Sequence, residues 1–350
     1  MKTLATILLA TTAIAASAPA MAQDIEPAEL AVVGSWSSLP LYKQFETPFW
    51  TEILPEASGG AITVNLTTFD QMGVSGGDVF RLLDDGVFDV GATVADYTVG
   101  DAPELEGLDV PLVATSAADA RAMVDAARPM VEDIMAERFG SKLLAIAPYP
   151  PQVVFCNAEI AGLDDLAGLK VRGSGRMTTL FLEELCAEGV NVAFSEVPGA
   201  LERGVIDCAI TGSGSGYSAG WWESSTHLMT LPLGGWDAVV TAMNLEKWES
   251  LPEATQTLIS EQIASGLEAP AWDAAADALA NDIACLTGEG DCTSGEPASM
   301  TLVEPSEADT ARAESVLKEQ VLPDWAERAG ADYAARWNET VGATVGVQVQ

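Results

Sequence analysis

Asp84-Asp85-Gly86-Val87-Phe88-Asp89-Val90-Gly91-Ala92-Thr93 and Glu202-Arg203-Gly204-Val205-Ile206-Asp207-Cys208-Ala209-Ile210-Thr211 are two versions of one pattern. Each ends a helix on charged residues, stops it at a glycine that can take the left-handed conformation, and then runs an apolar strand to a threonine. A strand of matching type precedes each, Ile62–Thr67 in one case and Val190–Phe194 in the other. One step earlier Leu30–Trp36 matches Leu169–Gly175, both apolar strands running into Gly-Ser. Three matches in the same order predict two related α/β lobes.

Outward from this repeat, strand and helix signals alternate along the chain. Strands are expected at Glu29–Ser35, Ala61–Thr68, Val87–Thr93, Lys142–Ala147, Gln152–Cys156 and Met300–Val303. A helix is expected over Asp78–Asp85. A longer one starts after the Ser116 N-cap, is kinked or restarted at Pro129 and ends at Gly140. Ser250–Gly288 (Leu258, Ile259, Ile263) and Ser306–Gly342 (Val316, Leu317, Val321) carry helical spacing. In an open α/β sheet, ligands sit beyond the carboxyl ends of the strands. Those ends are Ser35, Trp36, Thr68, Phe69 and Thr93 in one half, and Arg172, Gly173, Ser174, Ser195 and Thr211 in the other. If the halves face each other, these residues line one cleft.

Composition removes several functions. Lys+Arg number 16 against Asp+Glu 52, a formal net charge of −36, which leaves no basic footprint for nucleic acid. A hydrophobic content of 48% is ample for a core and too high for a disordered acidic tail. With one histidine, His227, a site needing several imidazoles is excluded, and no D-x-[DN]-x-[DN]-G calcium loop appears. Met1–Ala22 reads as an export signal: Lys2, the apolar run Leu4–Ala18, then Pro19 and the cleavage pattern Ala20-Met21-Ala22. Export permits disulfides. Five cysteines leave at least one unpaired, and Cys285 and Cys292, which flank a turn-rich hexapeptide, make the easiest bridge.

Gly216-Tyr217-Ser218-Ala219-Gly220 fits the hydrolase pattern G-x-S-x-G, with Ser218 as nucleophile. His227 follows too closely for the separate loops that present a triad, so a secreted serine hydrolase is the weaker alternative. Gly214–Ala219 fits G-x-G-x-x-G/A with Asp237 further on, a weak dinucleotide signal better read as a turn that lets backbone approach a small ligand. Arg172 stands at a strand tip before Gly-Ser-Gly in a chain with few cations. It either grips a carboxylate through two parallel hydrogen bonds or pairs with one of the many acids. Trp36, Trp221, Trp222 and Trp236 fall at strand ends or near the glycine-rich loop, and Trp36 and Trp236 are the candidates for pocket walls.

Leu163-Asp164-Asp165-Leu166-Ala167-Gly168-Leu169-Lys170-Val171-Arg172 and Phe194-Ser195-Glu196-Val197-Pro198-Gly199-Ala200-Leu201-Glu202-Arg203-Gly204-Val205-Ile206-Asp207 resemble the signature of the DctP-like solute-binding proteins of TRAP (tripartite ATP-independent periplasmic) transporters. Gln71-Met72-Gly73 with Asp84–Gly91, and Asn244 with Trp248 and Leu251-Pro252, are similar to further family segments. The resemblance implies a two-lobed, type II periplasmic binding fold with a hinge and long C-terminal helices bracing both lobes. It implies a signal at 1–22 and lobe I from 23–149 with about 237–275. Lobe II would be 150–236 with about 276–303, and the C-terminal helices 304–350. The implied protein is a periplasmic monomer without a cofactor. It would capture a small organic acid and deliver it to the large and small permease subunits of a sodium-coupled transporter; a ligand-sensing subunit docking on a receptor is the other binding role. Arg172 takes the position of the family's carboxylate clamp. Ser35, Trp36, Gln71, Thr93, Gln152, Ser174, Thr211 and Trp236 are the remaining expected ligand contacts. Gln152 stands where sugar-acid binders carry a second arginine, Thr211 where many members have asparagine, and Asp207-Cys208 replaces Asp-Gly. These departures favour a monocarboxylate with an apolar or aromatic body over sialic acid and C4-dicarboxylates. The family fold also implies a Cys156–Cys208 bridge, leaving Cys186 free.

Overall fold

The computed structural model describes residues 25–349; the expected export signal at 1–22 lies outside the described residues. Among the described residues eleven strands form two sheets. The first contains β1 (Ala28–Gly34), β2 (Ile62–Thr68), β3 (Val90–Val94), β4 (Ser141–Ala147) and β10 (Val239–Asn244), in the order β2-β1-β3-β10-β4. The second contains β5 (Gln152–Cys156), β6 (Lys170–Arg172), β7 (Glu188–Val190), β8 (Cys208–Gly212), β9 (His227–Met229) and β11 (Thr301–Val303), in the order β11-β9-β5-β8-β6-β7. In the first sheet β1 is parallel to β2 and β3, and β10 runs antiparallel to β3 and β4. In the second β6 is parallel to β7 and β8, and β5 runs antiparallel to β8 and β9. One pattern is therefore built twice, and each sheet takes its antiparallel strand after the chain has crossed over from the other.

The repeat extends to single hydrogen bonds. Asp89 donates its N–H to the Ala31 carbonyl at 2.9 Å and accepts the Ala31 N–H on Oδ2 at 2.7 Å. Asp207 does the same with Lys170, at 2.8 Å in both directions. Each aspartate closes the two-way bond where an ordinary ladder would begin, between the glycine stop and the strand. For that reason the third strand starts at Val90 and not at the expected Val87, which is an exposed turn residue.

Two further expectations are corrected. Val190–Phe194 is not a strand: β7 is Glu188–Val190, and Phe194–Glu196 form a helical turn. Pro129 does not restart its helix, since Ala117–Phe139 is continuous, with the Ser116 hydroxyl capping its start and Gly140 in the left-handed conformation at its end. Pro129 lies on the exposed face, where water can bond the carbonyl that a proline leaves free.

The chain passes between the sheets at residues 148–151 and again between β9 and β10. Helix Ala269–Thr287 spans them: the Trp272 indole N–H bonds the Ile146 carbonyl at 2.9 Å, and Asp282 accepts from the Ser213 hydroxyl at 2.7 Å. The C-terminal helical segments, Glu307 to Val345, also touch both sides. Asp309 accepts the Leu163 N–H at 2.9 Å, while the Trp325 and Trp337 indoles bond the Pro103 and Gly107 carbonyls, each at 3.0 Å. Disulfides join Cys156 to Cys208, across the β5–β8 register, and Cys285 to Cys292; Cys186 is free and exposed. Among the described residues no helix is long and apolar enough to cross a membrane.

Candidate functional site

The parallel strands of the two sheets end toward each other, and Arg172, the last residue of β6, is buried between them. Its side chain is held from its own sheet. Nε donates to the Val192 carbonyl at 3.1 Å, Nη1 donates to the Ile210 carbonyl at 2.7 Å, and the guanidinium lies 5.9 Å from the Trp221 ring centroid. Facing it from the other side are Asp96 and Tyr97, in the turn that follows β3, and Asp237, in the second crossing. Burial lowers the Arg172 pKa, while Tyr97, Asp237 and Asp96 act against that shift. The same burial pushes the Tyr97 phenol up to about 12 and raises the Asp96 and Asp237 carboxyls above their usual range.

Gln152 ties two of these acids together. Its Nε2 donates to Asp109 at 2.9 Å and to Asp237 at 3.2 Å, and Asp109 also accepts the Asp237 N–H at 2.7 Å. Asp237 is held at φ 40°, a left-handed backbone that costs a non-glycine residue about 1–3 kcal/mol. Oε1 of Gln152 and Oδ1 of Asp96 are buried without a hydrogen-bond partner.

Aromatic rings wall the space. Phe69, Trp36, Phe194 and Trp221 follow one another at centroid separations of 4.7, 5.3 and 5.3 Å, leading from the first sheet to the ring beneath Arg172. The Trp36 indole donates to the Tyr97 hydroxyl at 3.4 Å, while the Trp221 indole N–H is buried and unpartnered. Ser35, at the tip of β1, donates its backbone N–H to Glu46 at 2.8 Å. The Ser35 hydroxyl, Glu46 Oε1 and the Tyr149 hydroxyl are all buried and unpartnered. Next to them a cavity of about 260 Å³ is bounded by Tyr149, Leu41, Phe45, Ser215 and Asp282.

Arg172, Trp36, Ser35, Gln152 and Thr211 are thus gathered where the sheets meet. The other expected contacts are engaged elsewhere. Thr93 donates its hydroxyl to the Gly76 carbonyl at 3.0 Å, because β3 runs one residue further and the loop opens only at Ala95. Trp236 packs on Trp272, with its indole N–H on the Ala114 carbonyl at 3.1 Å. Gln71 is exposed in the first turn after β2. Ser174 pairs with Thr178 at 3.1 Å. Ser218 ends the short helix Ser213–Ser218 and is exposed, not raised on a strand-to-helix elbow, and His227 lies on β9 with Nδ1 at 2.9 Å from the Thr226 hydroxyl. The hydrolase reading has no geometry to support it.

Glu46, Asp96, Tyr97, Asp109 and Tyr149 are site residues that sequence reasoning missed. Extending the β3 strand by one residue would have found Asp96 and Tyr97. Glu46 is one acid among many, and only its burial distinguishes it.

A profile of the DctP family, bacterial extracellular solute-binding protein, family 7, matches residues 36–321. No curated protein matches the chain. Among solved structures, DctP7 of Bordetella pertussis, an extracytoplasmic solute receptor binding pyroglutamic acid, has a TM-score of 0.79 at 20% identity, covering 91% of this chain and 99% of that one. A TRAP periplasmic solute-binding protein from Shewanella oneidensis with bound succinate has a TM-score of 0.77 at 19% identity, over 91% and 99%. A TRAP solute-binding protein of an unidentified marine microbe, specific for aromatic acid ligands and bound to 3-hydroxybenzoate, has a TM-score of 0.74 at 24% identity, over 92% and 98%. At these identities the likeness establishes the two-lobed fold. The profile spans both copies of the repeat and the strand tip that carries Arg172, and on that match the chain belongs to the DctP family of bacterial extracellular solute-binding proteins.

Proposed function

We propose that the protein captures a small organic acid between two lobes, with Arg172 as the carboxylate grip and the aromatic row as the wall for the rest of the ligand. One observation carries the reading: the buried guanidinium belongs to one sheet, while the groups that face it come from the other sheet and from the crossing. A ligand held there touches both lobes, and closure follows from its higher affinity for the closed arrangement. The lobes divide as the sheets do: 23–149 with about 237–275, and 150–236 with about 276–303, braced by the helices of 304–350. The export signal at 1–22 would deliver the protein to the periplasm, and the loaded form would dock on the large and small permease subunits of a TRAP transporter. The relatives' pyroglutamate, succinate and 3-hydroxybenzoate are all small carboxylates, which supports the ligand class. The four-ring aromatic wall favours an apolar or aromatic body over a dicarboxylate.

Calorimetry on the Arg172→Ala variant tests the grip. Truncating one partner of a buried charge pair costs about 2–5 kcal/mol, so affinity for the best acid found in a thermal-shift screen should fall by about 30-fold or more. The melting cooperativity should be retained. An unchanged Kd overturns the assignment.

A further inference from the structure

The acid groups at this site outnumber its cation. Asp96 and Asp237 face the Arg172 guanidinium, Asp109 is tied to Asp237 through Gln152, and Glu46, also buried, stands apart from that network. One Glu46 oxygen accepts the Ser35 N–H, and the other has no partner. The Ser35 hydroxyl lies within reach of both Glu46 and the Tyr149 phenol, yet neither hydroxyl makes a well-formed hydrogen bond. All three side chains are at most 3% exposed. Buried polar groups without well-formed bonds are costly, and three together, Ser35 and Glu46 beside the first sheet and Tyr149 in the crossing, make a candidate polar site.

Resting on the carboxylate reading above, we infer that the ligand also carries a nitrogen-bound hydrogen, as an ammonium or other N–H group, which seats against the free oxygen of Glu46 with the Ser35 and Tyr149 hydroxyls around it. Arg172 takes one end of such a molecule and Glu46 the other, so the pair selects nitrogen-bearing acids over plain ones. Each hydroxyl can donate to a ligand oxygen or accept from the nitrogen, which completes the set without a second charged partner. Burial raises the Glu46 carboxyl to about 7, so a cationic donor that favours its ionised form would also draw its titration down.

Calorimetry with matched pairs tests this: L-proline against cyclopentanecarboxylate, and 3-aminobenzoate against 3-methylbenzoate. The nitrogen-bearing member of the pair that binds should be tighter by about 10-fold or more, the scale of one hydrogen bond to a charged group. Glu46→Gln, which keeps an acceptor for the Ser35 N–H, should narrow that preference. Glu46→Met should abolish it. Equal or tighter binding of the nitrogen-free member, or a preference unchanged in both variants, overturns the inference. Arg172→Ala separates the two claims, because it should weaken both members of a pair alike. If it weakens neither while the Glu46 preference persists, the carboxylate grip falls and the nitrogen site stands. If no acid of the panel binds, both fall together.

Discussion

Glu46 and Asp237 show what burial does to single residues here. Desolvation raises both carboxyls, Glu46 from 4.5 to about 7, and neither has a cation in direct contact that would reverse the shift. A raised folded-state pKa means that the native protein holds a proton which the unfolded chain has released. The stability from this source is fully present below the unfolded value, near 4.5 for Glu46, and is lost as pH rises through about 7. The thermal midpoint should therefore fall between pH 5 and pH 7.5. Self-repulsion from the net charge of −36 acts in the same direction, so the size of the fall alone does not identify Glu46. Glu46→Gln does: the variant should show a shallower fall over the same range, and differential scanning calorimetry at the two pH values measures it. An identical slope in wild type and variant would exclude Glu46 as a contributor.

At the scale of elements, the repeat was legible because it rests on backbone requirements. Gly86 and Gly204 take φ 69° and 64°, a conformation few residues adopt cheaply, and each glycine is followed by the aspartate that opens a strand. The two-lobed fold and the Cys156–Cys208 bridge followed from the family likeness, whereas strand order and strand direction were not read from the sequence. Val190–Phe194 was misread because an apolar alternation at a sheet edge gives the same signal whether it pairs or turns, and Phe194 turns inward to pack on Trp36 and Trp221. The expected ligand contacts were named from strand ends, which located Arg172, Ser35 and Trp36. That rule could not find Glu46 or Tyr149, because it follows strands and these residues come from a helical segment and a crossing. The repeated aspartate bonds carry a prediction of their own. Asp89→Ala and Asp207→Ala each leave a backbone N–H without its side-chain partner, which should cost about 0.5–1.5 kcal/mol. The two sites belong to different sheets, so their costs should add in the double variant when measured by urea unfolding. A coupling energy of about 1 kcal/mol or more would mean that the two copies do not fold as separate structural units.

At the scale of the whole molecule, one of the contacts between the halves is tight enough to be tested by a single substitution. Asp96, after β3, rests on Gly175, which caps the helix Arg176–Glu184 behind β6; a Cβ built on Gly175 would meet Asp96 Oδ2 at 1.4 Å and its Cγ at 2.3 Å. No side chain fits there while the halves stay as they are, because the clash involves the branch point of a short, buried carboxyl and not only its tip. The glycine φ is −149°, an extended value that any residue adopts, so alanine brings no backbone strain within its own lobe. Gly175→Ala is thus a substitution felt only when the two halves come together. In the hinge-closure mechanism it should leave the melting of the unliganded protein nearly unchanged and weaken ligand binding by about 10-fold or more, since overpacking a tight contact costs about 1–3 kcal/mol. Small-angle scattering should show the wild type contracting with saturating ligand and the variant contracting less. Adding Asp96→Ala to Gly175→Ala removes the colliding carboxyl and should restore the contraction. Full closure of the single variant, with unchanged affinity, would mean that ligand capture does not pass through the approach of Asp96 to Gly175, and the hinge would have to work about some other contact.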